Sequence, residues 1–489
     1  MHRRHLSIGI VGSGFSGLGL AIELMKAGFR DITLLEKAGR LGGVWRDNTY
    51  PGAACDAPSH LYSYSFAPNP GWSRRFAEQP EILAYLEDCA DAHGVHERIR
   101  FDSEVESAEF AEATGTWTVR LTDGTRLGFD LLVSACGQLS NPAVPGLPGA
   151  ESFTGPFFHS ARWDHGTDFT GRRVAVVGNG ASAVQFVPII APSTSRLTVF
   201  QLEPHWISPK PDRVYPAWRK ALNRRFPAIQ KLSRLGIFLW FELLLNPALI
   251  APAGRRALSV HIRALCRYAL RTVTDPALRR RLTPAYEPGC KRILTSDDYY
   301  TALNGPGVSV VDSAITEVTA DGVRTADGHN HPADVIILAT GFRSQDFMAP
   351  MRVTGAHGLD LNSAWKDGAR AFLGLAVSGF PNFFLMYGPN TNVGSGSIVH
   401  MLESQIAYIV QAARLLASGV TVMDLREDVL EGFDAAAQRR LSTTVWNQGG
   451  CDSWYLDERR RNTSNWPGSM TAYRRATRRL DPVHYRLVR

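Results

Sequence analysis

Two glycine-rich turns, each set between a strand and a helix, limit this 489-residue chain to a fold built around two dinucleotide-binding units. In the first, an apolar strand over residues 6–11 runs into Gly12-Ser-Gly14-Phe-Ser16-Gly17, and a helix follows to about Ala27. A second strand, Ile32–Leu35, then ends in Glu36. Gly12 makes the tight turn, Gly14 lets the backbone approach a pyrophosphate, and Gly17 lets helix and strand pack closely. The helix start near Ser16 offers unpaired N–H groups and a partial positive charge to the phosphates. Glu36 stands where a carboxylate accepts hydrogen bonds from an adenosine ribose. The pattern recurs in the strand Arg173–Val177, Gly178-Asn-Gly180-Ala181-Ser182-Ala183, a helix to about Ile190 and a strand over residues 197–200. Ala183 takes the third glycine's place, which the fingerprint permits. Two such units imply two dinucleotides held face to face, as hydride transfer between them requires; one unit standing empty is the alternative.

At 53.8 kDa the chain has room for two or three domains. Its 44% hydrophobic and 20% charged residues are those of a globular protein. The net charge of +7 gathers in arginines over residues 211–281 and in the last thirty residues. No nucleic-acid motif accompanies them, so a solvated basic surface that attracts a phosphorylated cofactor is the reading. The six cysteines, Cys55, Cys89, Cys136, Cys266, Cys290 and Cys451, form no C-x-x-C pair, which argues against a zinc site or a dithiol centre and predicts reduced thiols in a cytoplasmic protein. Met1-His-Arg-Arg-His lacks the apolar stretch of a secretory signal. The longest apolar run, residues 235–252, is broken by Glu242, Asn246 and Pro247 and is too short to span a bilayer. A helical cap over a greasy substrate cavity is preferred there to a peripheral membrane contact, with Trp218, Phe226, Trp240 and Phe241 as its bulky apolar lining.

Between the two turns lies Phe153-Thr-Gly155-Pro-Phe-Phe-His159-Ser-Ala-Arg-Trp163-Asp164. This stretch matches F-x-G-x-x-x-H-x-x-x-W-[PD] at every specified position, and with flanking fingerprints it resembles the signature of type I Baeyer–Villiger monooxygenases. The likeness runs from residue 6 to about residue 467 and is greatest to compact members of the 4-hydroxyacetophenone monooxygenase-like branch. It implies an α/β protein with FAD- and NADP-binding Rossmann-like domains. It also implies conversion of a ketone, bulky and apolar if the helical cap is its lid, to an ester or lactone by NADPH, O2 and a peroxyflavin anion. Gly155, His159 and Trp163 would couple domain movement to catalysis, so His159 is not assigned as a base. A shared pattern, Asp130-Leu-Leu-Val-Ser-Ala-Cys-Gly137 and Asp334-Val-Ile-Ile-Leu-Ala-Thr-Gly341, marks the joints. The expected division is an FAD domain over 1–139 and 332–489, the latter carrying a C-terminal active-site loop. An NADP domain over 140–331, with a helical insertion at about 211–282, lies between them.

The resemblance also assigns the chemistry. Gly42-Gly43-Val44-Trp45, Tyr50-Pro-Gly-Ala-Ala-Cys-Asp56 and Tyr62 match the family's flavin-side stretch, with Val44, Trp45, Tyr62, Val105, Asn390 and Met401 on the flavin and Asp56 entering the active site. In Pro288-Gly-Cys-Lys291-Arg292, the lysine would contact the nicotinamide cofactor and the arginine the flavin. A permanently charged guanidinium suits stabilisation of an oxygen anion without proton loss, and Asp56 would orient it. Trp454, in the C-terminal loop, would meet substrate or nicotinamide; Arg460 replaces a frequent glycine there. Gln201-Leu202-Glu203 departs from the family's usual Gln-Arg at the 2′-phosphate, which keeps NADH open beside NADPH. An N-hydroxylating or S-oxygenating flavin monooxygenase is the alternative; its signature usually lacks the tryptophan and it does not require the Asp56/Arg292 pair. A disulfide reductase would need paired redox cysteines, and tightly bound flavin reduced by NADPH would exclude a non-enzymatic nucleotide-binding module.

Overall fold

In the computed structural model, which describes residues 5–489, the two fingerprints seed two separate five-stranded parallel sheets. Four residues of the N-terminal opening, 1–4, lie outside the described residues. The first sheet runs in the order Phe383–Leu385, Leu131–Ser134, Ile8–Val11, Ile32–Leu35, Ile99–Arg100. Its central strands are buried along their whole length, which is why Ile8–Val11 and Leu131–Ser134 read as unbroken apolar runs rather than alternating ones. Against it pack the helices Phe15–Lys26 and Ile398–Ala417, both apolar toward the sheet.

The second sheet runs Val308–Val311, Arg196–Phe200, Arg173–Val177, Val335–Leu338, Phe157–His159. Val335–Leu338 pairs in parallel with Arg173–Val177 and Phe157–His159. The strand thus belongs to the inserted unit, and the expected return to the first unit at residue 332 is too early. The chain crosses back only after Gly341, whose φ of 78° matches the 71° of Gly137 at the outward crossing. The two crossings lie side by side: Ala143 N–H donates to Gly341 O and Arg343 N–H to Asn141 O, each at 2.9 Å. The internal echo therefore marks both crossings but ends one strand inside the second sheet.

Residues 211–282 are helical, as expected, with Ala217–Arg225, Pro227–Trp240, Asn246–Ile250, Pro252–Leu270 and Pro276–Arg281. They do not form a lid. Among the described residues, none in this span lines the large cavity between the sheets. Trp218, Phe226 and Trp240 are instead exposed to solvent, at 65%, 49% and 46%, while Phe241 joins the core of the first unit. Composition gave the helices but not which way their apolar faces point. The expectation of a bulky apolar substrate therefore loses the lid on which it rested.

Candidate active site

Strand ends place the two turns on opposite walls of one cavity of about 990 Å³. The turns are near-copies. Gly12 N–H donates to Leu35 O at 2.8 Å, and Gly178 N–H to Phe200 O at 2.9 Å. At φ of 104° and 106°, a Cβ would stand 2.8 Å from Ala135 O at Gly12 and 2.4 Å from Ala339 O at Gly178, so only glycine fits. Gly14, Ser16, Gly180, Ala181 and Ser182 line the cavity; Gly17 and Ala183 do not, being buried in helix–strand contacts. A Cβ at Gly17 would lie 1.9 Å from Gly12 O, whereas one at Gly180 would meet no atom within 4 Å. Each turn is thus packed behind and open in front, the shape a pyrophosphate needs.

Glu36 is buried and accepts from Ser13 N–H at 3.0 Å, Ser13 Oγ at 2.6 Å, Ala38 N–H at 3.1 Å and Arg46 Nη1 at 2.7 Å. Burial opposes its charge, but the Ser13 and Arg46 contacts outweigh it and hold the carboxyl below its usual range. It reaches the cavity as a fixed carboxylate beside the first glycine turn. Val44, Trp45, Tyr62 and Val105 also line the cavity, and Trp45 Nε1 donates to Tyr62 Oη at 3.1 Å. The donor sets and the open glycine turns fit two dinucleotides.

Asp56 comes from the first unit and Arg292 from the second, 236 positions apart, yet Arg292 Nε donates to Asp56 Oδ2 at 2.7 Å. Both line the cavity and remain about one third exposed, at 33% and 35%. Desolvation works against charge on Asp56, but Arg292's charge and hydrogen bond prevail and keep its carboxyl ionised below the ordinary range. Asp56's charge in turn raises Arg292 above its ordinary value. The site therefore holds a guanidinium that does not lose its proton.

Lys291 also lines the cavity and donates Nζ to Glu203 Oε2, lying over the Tyr286 ring at 5.5 Å. Glu203 and Leu202 follow the second unit's second strand, and Leu202 is 79% exposed. Trp454 reaches the cavity, with its carbonyl accepting from Gln345 Nε2 at 2.7 Å. The cysteine expectation is corrected: Cys290 and Cys451 form a disulfide, and Cys55, Cys89, Cys136 and Cys266 are free. A separation of 161 residues hides this pairing from any spacing rule. The bridge fastens the Lys291-Arg292 turn to the loop that carries Trp454.

Two expected flavin contacts are not in the cavity wall. Asn390, with φ 56°, is buried and donates Nδ2 to Asn462 O at 2.7 Å and Asn465 O at 3.1 Å. It braces the C-terminal loop, while Asn392 reaches the cavity. Met401 is wholly buried in the core, and its helix neighbour Leu402 lines the cavity instead. Residue matching located the turn and the helix, and neighbours one or two positions away line the cavity. Arg46 and Gln138 are further wall residues absent from the sequence reading; Arg46's place directly after Gly-Gly-Val-Trp was the available signal.

The signature residues lie behind the wall. A Cβ at Gly155 would meet Asp334 O at 2.2 Å. His159 Nδ1 accepts from Ala161 N–H at 3.0 Å, and its ring meets Phe342 at 5.9 Å, beside the return crossing. Burial lowers its pKa despite the opposing Gly341 backbone. Trp163 packs on Phe186 at 5.2 Å, Phe186 on Tyr50 of the first unit at 6.1 Å, and Tyr50 Oη donates to Gln185 Oε1 at 2.9 Å.

Two glycine turns facing one cavity, with an interdomain Asp–Arg pair between the units that carry them, define a protein of the class that holds two dinucleotides against one shared site. The family described as flavin-binding monooxygenase-like matches residues 5–237. A Baeyer–Villiger monooxygenase of Streptomyces coelicolor is 45% identical over 99% of this chain and 93% of its own. One of Pseudomonas aeruginosa is 42% identical over 99% and 92%. A steroid monooxygenase bound to NADP superposes with a TM-score of 0.87 at 31% identity over 99% of both chains. OTEMO in complex with FAD and NADP also gives 0.87, at 27% identity over the full length of both. The chain belongs to the Baeyer–Villiger monooxygenases.

Proposed function

We propose that the protein uses FAD, NADPH and O2 to insert one oxygen atom beside a ketone carbonyl, giving an ester or lactone, with Arg292 and Asp56 as the pair that makes the site competent. Bound FAD supplies the redox and oxygen chemistry. The chain's own groups bind, orient and hold charge. The first turn and Glu36 take the flavin's pyrophosphate and ribose, and the second turn takes the nicotinamide dinucleotide. Asp56 engages Arg292 through Nε, leaving the two Nη groups as donors toward reacting oxygens. Because Asp56 raises Arg292's affinity for its proton, those donors stabilise negative charge without neutralising it by proton transfer. Phe347, Met348, Val393, Ile398, Leu402 and Trp454 give the wall an apolar share, which supports an apolar ketone. Gly155, His159 and Trp163 act as coupling residues, since Gly155 backs onto the start of the strand Val335–Leu338, His159 meets Phe342 at the return crossing and Trp163 packs on the helix that touches the first unit.

The observation that carries this reading is the 2.7 Å Arg292–Asp56 contact in the cavity shared by both turns. It also disfavours N- or S-oxygenation, which requires no such pair. Arg292→Ala is expected to let NADPH bleach the bound flavin yet to slow ester formation from a ketone by about 10²–10³. Ester formation at the parent rate would overturn the assignment.

A further inference from the structure

We infer that the helical insertion is a monotopic contact site for an anionic lipid bilayer, seated on the outward ridge of the helix Pro227–Trp240 and the π-turn Phe241–Leu245. Leu232, Leu235, Leu239, Trp240, Leu243 and Leu244 are 67%, 49%, 40%, 46%, 65% and 56% exposed. Their i, i+3, i+7, i+11 spacing through Leu232, Leu235, Leu239 and Leu243 sets four leucines in one stripe. Such a contiguous exposed apolar stripe marks a contact surface in a folded domain.

The opposite face is fastened to the protein. Arg234 donates Nη1 to His60 O at 2.9 Å, Leu61 O at 3.3 Å and Ser63 O at 2.8 Å, and Nη2 lies 3.7 Å from Glu403. Gln230 Nε2 donates to Asn69 O at 2.7 Å. Glu242 accepts from Met470 N–H at 3.1 Å and Thr471 N–H at 2.9 Å. The segment 227–250 is long and apolar enough to cross a membrane, but only 28% of its most apolar window is buried, and these polar anchors hold one face against the first unit. A helix pinned in this way lies on a bilayer and does not traverse it.

Charge selects the occupant. Residues 211–282 hold 15 Lys and Arg against 3 Asp and Glu, a net of +12 in a chain of net +7, so the remainder carries −5. Arg224, Arg225, Lys231, Arg256 and Arg267 are exposed. Clustered cations beside an amphipathic apolar face attract anionic headgroups. A second copy would bring the same +12 to the same ridge, and like charges facing each other oppose association.

The test is co-sedimentation of flavin-loaded protein with vesicles of phosphatidylcholine alone or mixed with phosphatidylglycerol. Binding to the mixed vesicles is expected, weakened at least about tenfold by raising salt, since headgroup attraction is screened. Leu235→Ser with Leu239→Ser should lower it by about tenfold or more, as should Arg224→Glu with Arg225→Glu and Lys231→Glu, while both retain parent NADPH oxidation as a check on folding. No binding to either vesicle, or ridge variants that bind like the parent, would overturn the proposal. Light scattering that shows a dimer abolished by the ridge variants would assign the stripe to a second copy instead.

Discussion

Replacing Asp56 by Asn in the presence and absence of Arg292 separates positioning from direct action. Arg292 Nε lies 2.7 Å from Asp56 Oδ2. With charge centres about 4 Å apart, the gross attraction is roughly 4 kcal/mol at an effective dielectric near 20. Both side chains are about one third exposed, at 35% and 33%, so the net coupling falls to roughly 1–2 kcal/mol. Asp56→Asn is therefore expected to slow ester formation about tenfold, and Arg292→Ala by about 10²–10³, the usual cost of an oriented charge at a reacting oxygen. If Asp56 acts only through Arg292, the double variant is no slower than Arg292→Ala. The assay is ester yield against time by gas chromatography, with stopped-flow absorbance following flavin reduction by NADPH; all three variants should keep the parent reduction rate. A double variant slower by the product of the two single effects would refute the positioning role.

Three further outcomes follow from other parts of the molecule. Leu202 offers no donor and Glu203 occupies Lys291, so NADH should support turnover within about tenfold of NADPH, and Leu202→Arg should tighten NADP+ but not NAD+ in calorimetric titration; an unchanged NADP+ affinity would sink this account. His60 and His400 are pushed down to about 4, chiefly by burial and then by neighbouring arginines, so they are neutral when folded and charged when unfolded at pH 5. Their stability contribution is full above about pH 6.5 and is lost as pH falls toward 4, at most about 2 kcal/mol each at pH 5. Melting temperature should therefore drop from pH 7 to pH 5, less so in His400→Gln, and equal pH slopes would count against it. Thiol titration of denatured, unreduced protein should find four of six cysteines reactive; a count of six would remove the bridge.

Much of this was legible because local chemistry forced it. Gly12, Gly14 and Gly17 between strand and helix, and Gly178 with Gly180, are needed wherever a chain makes that turn, so spacing alone revealed both sheets. Asp56 and Arg292 emerged only through likeness to a family, because nothing local connects positions 236 apart. The Cys290–Cys451 bridge was unreadable for the same reason. Asn390 and Met401 show a finer limit: a step of one or two residues along a turn or helix swings a side chain from core to wall, and motif matching does not resolve that step. The insertion failed differently. Its helices follow from composition, but whether Trp218 and Trp240 face a cavity or the surroundings depends on where Arg234 and Glu242 find their partners.

Asp56 and Arg292 reside on separate units, connected along the chain by the two neighbouring crossings at 141–143 and 341–343 and across it by the Cys290–Cys451 bridge. Neither unit alone holds the pair. A movement that parted the two units at this point would also part Asp56 from Arg292 and take away the partner that orients the guanidinium. The pair forms only where the units meet, so the guanidinium is kept in place by contact across that seam and not by either sheet by itself.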